Sequence, residues 1–437
     1  MTFLFVFLII TFFLLTASKC LERFHVPSII AMMLVGIVMG PHGLDFIKSF
    51  LGVLGRPDKI LQVNYAIEVF NILGLIFIMV LAGFEMDPLI VRRERKSIST
   101  LSIFSIVATL AAGVAVALYL RLDYIGLILF TSLYCSHSVG IAFTLIKDLR
   151  IEKTRFGISI LGTTMVADVI SIIILSLSVG LKGQASKEAV NGGLSIFSLL
   201  NFGQNTVAFI SVFLLFITGY VFLSFFVAPG FIRKLASHYK SVTLHSPLFF
   251  LLIILIFIFV GEFLGINLVV GAFIAGISIS LSRVLHRFEE MDKILSNIGY
   301  GIFVPFMFFY IGSQTQIQSL FQVSNLVNTI VICLGLILSK TISGYAAMRI
   351  SGFDRVQSLS AGLMIVPQLT ATLAAADIGR TLNIISQDIF TSVVVMSIVT
   401  TIPIPIILQW LMKKYKPSFQ YVDIQLPNIP EEQEPVI

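Results

Sequence analysis

The chain has 437 residues, of which 57% are hydrophobic and only 12% charged, and its mean hydropathy is +1.00. A soluble domain carries about twice that share of charge, so the composition excludes a water-soluble globular protein, a disordered chain, a coiled coil and a nucleic-acid binder. The formal net charge of +6 reads as a topology signal, and Cys20, Cys135 and Cys333, all in or beside apolar segments, imply no disulfide framework.

A membrane-spanning helix needs about 20 mostly apolar residues. In chain order that rule marks thirteen segments, at about 2–20, 27–40, 65–84, 98–120, 124–147, 154–181, 203–228, 246–264, 266–283, 298–317, 325–349, 355–378 and 387–414. The first has no basic stretch ahead of it, and Lys19 stands where a lipoprotein cleavage motif needs a small residue. It is expected to stay as a helix with its N-terminus outside. Pro27 opens the second and Gly40-Pro41 closes it, and the amphipathic stretch 41–64 is expected to lie partly in the interface.

Basic residues test the crossings. One set of alternate loops holds clusters such as Arg92, Arg93, Arg95 and Lys96, or Lys147, Arg150, Lys153 and Arg155. The opposite set holds only Lys48, Arg56, Lys59, Arg121, Lys182, Lys187 and Arg380. This alternation predicts thirteen crossings with the C-terminus in the cytoplasm. Six helices, a linker helix at 203–228 and six more make two halves of opposite topology, a common plan in secondary transporters. The repeat is inferred from topology, because no residue-level repeat is evident. Residues 415–437, rich in Pro, Glu and Gln, read as a disordered cytoplasmic tail too short for a nucleotide-binding domain.

The informative residues are those a bilayer disfavours. Asp168 falls at the middle of the sixth segment, where an aspartate costs roughly 2.5–3.5 kcal/mol on insertion scales. Intramembrane acids usually mark ion or proton paths, and Thr164 one turn away supplies a hydroxyl. Lys340 lies nine residues from Arg349 in the eleventh segment. That is about 13 Å along a helix, too far to snorkel, so it needs a partner inside the protein, as a counter-charge or in the proton cycle. The fifth segment carries Tyr134-Cys135-Ser136-His137-Ser138-Val139-Gly140 at mid-depth, and the twelfth carries Val366-Pro367-Gln368-Leu369-Thr370-Ala371-Thr372. Polar runs beside Gly or Pro mark helices that unwind and turn backbone carbonyls toward a site, and each run is the fifth helix of its half. Cys135 and His137, two apart, cannot share a helix face as metal ligands, and His137 reads as a neutral hydrogen-bonding side chain. Glu68, Glu262 and Asp377 sit near helix ends where water is expected to reach them. In the ninth segment Gly271-Ala272-Phe273-Ile274-Ala275-Gly276 spaces small residues for close helix packing.

These residues resemble the monovalent cation:proton antiporter-2 family. The run from Leu73-Gly74-Leu75-Ile76-Phe77 to Leu81-Ala82-Gly83-Phe84-Glu85-Met86-Asp87 looks like that family's third helix. Val270 to Gly276, Ser136-His137-Ser138 and Pro367 to Ala374 are similar to further motifs, two of them from a bacterial branch. The resemblance covers about residues 1–414. It implies a bacterial cell (inner) membrane protein, usually homodimeric, with an interface part (about 1–97 and 229–317) and a mobile ion-translocating core (about 98–181 and 325–414). It also implies elevator-like alternating access, with the fifth and twelfth broken helices crossing near an essential aspartate that maps onto Asp168. The intramembrane lysine of some members maps onto Lys340. Two departures stand out: Ala167 precedes the aspartate where electrogenic members carry a second acid, and the nucleotide-binding domain of glutathione-gated potassium efflux members has no counterpart.

The expected architecture is therefore an all-α polytopic membrane protein with thirteen transmembrane helices, a 6+1+6 inverted repeat and two crossed broken helices. The expected function is a secondary antiporter exchanging Na+ or K+ for H+, electroneutral, without enzyme activity or cofactor. Asp168 would hold cation or proton, with Thr164, Ser136 and Ser138 as ligands and Lys340, His137 and Gln368 in support. The alternatives are a sodium-coupled organic solute symporter of similar fold, and a channel-like or transport-dead sensor.

Overall fold

In the computed structural model, residues 2–23, 27–40, 60–84, 94–138, 141–142, 145–146, 151, 154–186, 206–238, 247–282, 284 and 289–415 are described. Residues 41–59 of the expected interfacial stretch 41–64 and residues 416–437 of the expected tail 415–437 lie outside them, and residues 60–64 open a helix. Among the described residues all regular structure is helical. The first half holds α1 (Thr2–Glu22), α2 (Ser28–Met39), α3 (Ile60–Phe84), α4 (Arg95–Tyr119), α5 (Tyr124–Cys135) and α6 (Arg155–Ser186). The linker is α7 (Thr206–Phe226), followed by the short surface helix α8 (Ala228–His238). The second half holds α9 (Pro247–Phe263), α10 (Leu268–Leu281), α11 (Glu289–Ile298), α12 (Val304–Ser313), α13 (Val323–Ile350), α14 (Arg355–Met364), α15 (Thr370–Thr381), α16 (Gln387–Thr401) and α17 (Pro403–Lys414).

Among the described residues, seven helical runs are long and apolar enough to cross a bilayer by length and composition, and five shorter apolar helices accompany them. The remaining expected crossing, 355–378, is the pair of half-helices α14 and α15. Every expected segment is helical in its described residues, with one difference in limits and the two expected breaks. The tenth starts earlier, as α11 joins α12 through a π turn at Gly299–Phe303. The fifth and twelfth break at the predicted polar runs. Exposed Leu, Ile, Val and Phe on α7, α9 and α13 are the lipid-facing surface, because no bulk water is present there to expel them.

The inverted repeat shows in which helices touch. α2 packs on α12, and its counterpart α10 packs on α3. α4 packs on α13, α5 on α4, and α14 on α13. Small residues make the first two crossings possible: a Cβ on Gly312 would run into the Met33 carbonyl, and one on Gly83 would sit 2.6 Å from the Phe273 carbonyl oxygen. The turns repeat as well. After α4, Arg121 (φ 55°) reverses the chain, the Leu122 N–H bonds back to the Ala117 carbonyl, and Asp123 caps α5 by accepting from the Gly126 N–H at 2.8 Å. After α13, Gly352 (φ 86°), a Phe353-to-Met348 bond and Asp354, which accepts from the Gln357 N–H at 2.7 Å, do the same for α14. A residue-level repeat is thus present in the turn chemistry, although the residue types differ.

The α2–α12 crossing yields a direct test. Gly312→Val should destabilise the protein by about 3 kcal/mol, since the displaced atom is a backbone carbonyl that cannot swing away. Gly219→Val is the control, because nothing lies within 4 Å of a Cβ there. Thermal unfolding in detergent should show a large fall in midpoint for the first variant and almost none for the second.

Candidate ion-binding site

α5 stops at Cys135 because Ser136 is extended (φ −64°, ψ 158°), and residues 136–138 run non-helically before helix resumes at 141–142. α14 stops at Met364, residues 366–369 are non-helical, and α15 starts at Thr370. The two breaks meet, with the Ser138 N–H donating to the Pro367 carbonyl at 3.1 Å. Breaking a helix in a bilayer orphans carbonyls and amides that must find partners within the protein. Gln368 meets this need by donating its Nε2 to the carbonyls of Tyr134 at 3.0 Å and Ser136 at 2.9 Å. Lys340 Nζ also donates to the Ser136 carbonyl, and the Ser171 hydroxyl donates to that of Ser132 at 2.9 Å.

The charges follow the half-helix ends. Asp168, 4% exposed, accepts the His137 N–H on Oδ1 at 2.8 Å, so the carboxylate sits at the amide side of the α5 break. Lys340, fully buried, sits at the carbonyl side. This is the placement that the opposed dipoles of two half-helices favour. Asp168 lies 13 residues into α6 from Arg155, or about 20 Å from that end.

All seven sequence-predicted residues are buried, and six of them are linked by the contacts at the break. The Ser136 hydroxyl pairs with that of Thr372 at 2.5 Å, tying the first break to α15. His137 Nε2 pairs with the Ser105 hydroxyl on α4 at 3.2 Å. Ser138 contributes the backbone tie to Pro367. Thr164 shares the helical face of Asp168, but its hydroxyl donates to the Leu161 carbonyl at 2.8 Å, leaving only its lone pairs for a ligand. Sequence reasoning missed Thr372, Ser105 and Ser171. Thr372 stood within the quoted twelfth-segment run; the other two look like ordinary small residues in apolar helices.

Asp377 requires a correction. Water was expected to reach it, yet it is 3% exposed, because α15 ends against α3 and α12 and Arg380 pairs with its carboxylate at 2.9 Å. Glu68 is exposed and Glu262 half-buried, as their helix-end positions imply. A cavity of about 500 Å³ opens among Arg95, Lys96, Arg155 and Ser351. It lies at the opposite end of α6 from its outer turn and well away from Asp168, so it is not the ion site.

A buried carboxylate held where two interrupted helices cross, inside a helical bundle of two inverted halves, defines a secondary transporter rather than an enzyme. The sodium/hydrogen exchanger transmembrane family model matches residues 7–414, and the chain belongs to that family. It is 32% identical over 409 residues to a probable Na+/H+ antiporter 3 of Methanocaldococcus jannaschii, covering 93% of this chain and 96% of that protein. It is 28% identical over 389 residues to the Na+/H+-K+ antiporter GerN of Bacillus cereus, covering 89% and 90%. Its fold is similar to that of the sodium proton antiporter MjNhaP1 of M. jannaschii, with a TM-score of 0.65 over 95% of this chain and 98% of that one, at 17% identity. The chain is thus a multi-pass membrane transporter.

Proposed function

We propose that the chain exchanges Na+ or K+ for H+ across a membrane, with Asp168 holding a cation or a proton but never both. The observation that carries this reading is the enclosed Asp168 carboxylate at the crossing of the two breaks, bonded to the His137 N–H. Around it, hydroxyls and carbonyls are the ligand types that replace the water of a hard monovalent cation. Ser136, Ser138 and Thr164 supply hydroxyls; Lys340, Gln368 and His137 hold the breaks in shape. K+ stands beside Na+ because the Bacillus relative carries both in its name. One acid, with Ala167 before it, gives one charge in either loaded state and hence neutral 1:1 exchange.

The reading extends to architecture. The interface part (1–97 and 229–317) holds a dimer together, and the core (98–181 and 325–414) moves against it. The N-terminus lies outside and the C-terminus in the cytoplasm, as the basic loops direct. A solute symporter or a sensor finds no support among the relatives, which are antiporters.

The test is exchange in proteoliposomes with Na+, K+ and Li+ tried separately. Because proton and cation compete for one group, the apparent cation affinity should weaken about tenfold per pH unit below the carboxylate's pKa. A half-saturation constant that stays flat across the acidic range would require separate sites. Failure of every cation to dissipate a pH gradient would end the antiport reading.

A further inference from the structure

A second polar cluster lies at the other end of α15 from Thr372, near the face that carries the turns at 120–123 and 382–386. There α15 meets α3 and α12. Asn71 Nδ2 donates to Asp377 Oδ2 at 3.2 Å, and Arg380 donates to Asp377 Oδ1 at 2.9 Å. The same guanidinium reaches the Tyr310 hydroxyl at 3.5 Å and lies over the Phe390 ring, 5.2 Å from its centroid. Asn71 and Asp377 are 4% and 3% exposed.

The Asp377–Arg380 pair lies within α15 and joins no helices by itself; what ties α15 to α3 and α12 here is two polar contacts, from Asn71 and to Tyr310. The cluster is also incompletely satisfied: Asn71 Oδ1 and Arg380 Nε are buried without a hydrogen-bond partner. Unused donors and acceptors of this kind call for an explanation, and a second arrangement that uses them is one. The position of the cluster supplies the rest. Asn71 and Tyr310 belong to the interface part, and Asp377 and Arg380 to the core. On the same face the Asn267 N–H of the interface part donates to the Ser176 hydroxyl of the core at 3.4 Å. On the opposite face Arg155 of the core binds Glu94 and Ser97, at the end of the interface stretch 1–97, each at 3.1 Å, and the Ser351 carbonyl of the core at 3.1 Å, so that face has a polar tie of its own at the boundary of the two parts.

We propose that Asn71, Tyr310, Asp377 and Arg380 form a polar latch that holds the core against the interface part on the non-cytoplasmic face, and that it parts each time the ion site is presented to that face. The inference rests on the exchange reading above and on its division into two parts. Any shift of the core that opens a path past α3 and α12 carries Asp377 away from Asn71, so the contact belongs to the conformation closed on that side. The latch is uncharged overall, so parting it leaves no net charge to be moved.

The test joins the two sides of the latch. Asn71→Cys and Asp377→Cys are combined, and Hg2+ bridges the thiols in proteoliposomes, with the parental chain and both single variants as controls for Cys20, Cys135 and Cys333. Bridging should slow exchange at least about tenfold, and a thiol reductant should restore it, because the bridged protein is held in one conformation. Undiminished exchange in fully bridged protein would show that the pair stays together throughout the cycle, and the latch would be wrong. A second measurement uses Asn71→Cys alone, which leaves the Asp377–Arg380 pair intact. Its labelling from outside by a membrane-impermeant maleimide should accelerate at least about fivefold when Na+ or K+ is added, as the open state becomes populated. Equal rates with and without cation would overturn the proposal. Parental vesicles that exchange no cation would sink the exchange reading, whereas the labelling comparison still decides the latch.

Discussion

Asp168→Asn is expected to insert and fold normally yet exchange at least about a hundredfold more slowly than the parent, a loss of about 2.7 kcal/mol or more. The structure explains why asparagine is the informative substitution. In the proposed scheme Asp168 has two duties: its charge would neutralise the bound ion, and its Oδ1 accepts the His137 N–H at 2.8 Å, which satisfies a backbone donor freed by the break in α5. The asparagine oxygen can keep the second duty, so the crossing of α5 with the Pro367 break should survive. It cannot keep the first, because an amide neither balances a cation nor carries a proton near neutral pH. Alanine would remove both duties and confuse a collapsed break with a lost ligand. Proton–cation exchange and the thermal midpoint should therefore be measured on the same purified variant. Near-normal exchange by Asp168→Asn would remove the competition mechanism, and a collapsed midpoint would show that the carboxylate is needed chiefly to hold the break.

Much of this architecture is legible in the sequence because a bilayer constrains it so strongly. Backbone polar groups have no water to fall back on, so apolar length gives helices, and a polar run beside Pro367 or Gly140 gives a break. Asp168 and Lys340 stand out for the same reason, since burying a charge there is tolerated only for cause. What the sequence hides is pairing over long separations. Nothing in Ser136 announces Thr372, 236 residues later, and nothing in Asn71 announces Asp377, 306 residues later. Asp377 misleads for a related reason. Its place near the end of α15 implies water, but Asn71 of α3 bonds its carboxylate and Arg380, reaching Tyr310 of α12, closes over it, which only the packed fold reveals. The repeat is hidden differently. Arg121 and Gly352 adopt the same left-handed turn with different side chains, so the symmetry lives in the backbone and in a single shared residue type, the Asp123 and Asp354 caps.

Lys340→Gln should cost stability far more than it costs exchange. The ammonium is fully buried and donates to the Ser136 carbonyl, which also receives Gln368 Nε2 at 2.9 Å. Together they cover the carbonyl end of the broken α5, with the lysine adding the charge that the half-helix dipole favours. Glutamine is shorter and neutral; it loses a charge-assisted hydrogen bond and leaves a small void, together about 2–4 kcal/mol. The thermal midpoint in detergent should fall clearly, while exchange by the protein that remains folded should stay within about threefold of the parent, since the proposed scheme carries no ion or proton on Lys340. The same assignment fixes the charge balance. If Asp168 is the single carrier, as proposed, with Ala167 in place of a second acid, the site carries the same net charge whether loaded with cation or proton, so voltage should not drive turnover. Clamping a potential across proteoliposomes with equal pH and cation on both sides tests this directly. No sustained, cation-dependent proton movement is expected from either the parent or Lys340→Gln. Voltage-driven proton movement in the parent that disappears in Lys340→Gln would instead make the lysine a second proton carrier, and the neutral 1:1 scheme would give way to an electrogenic one.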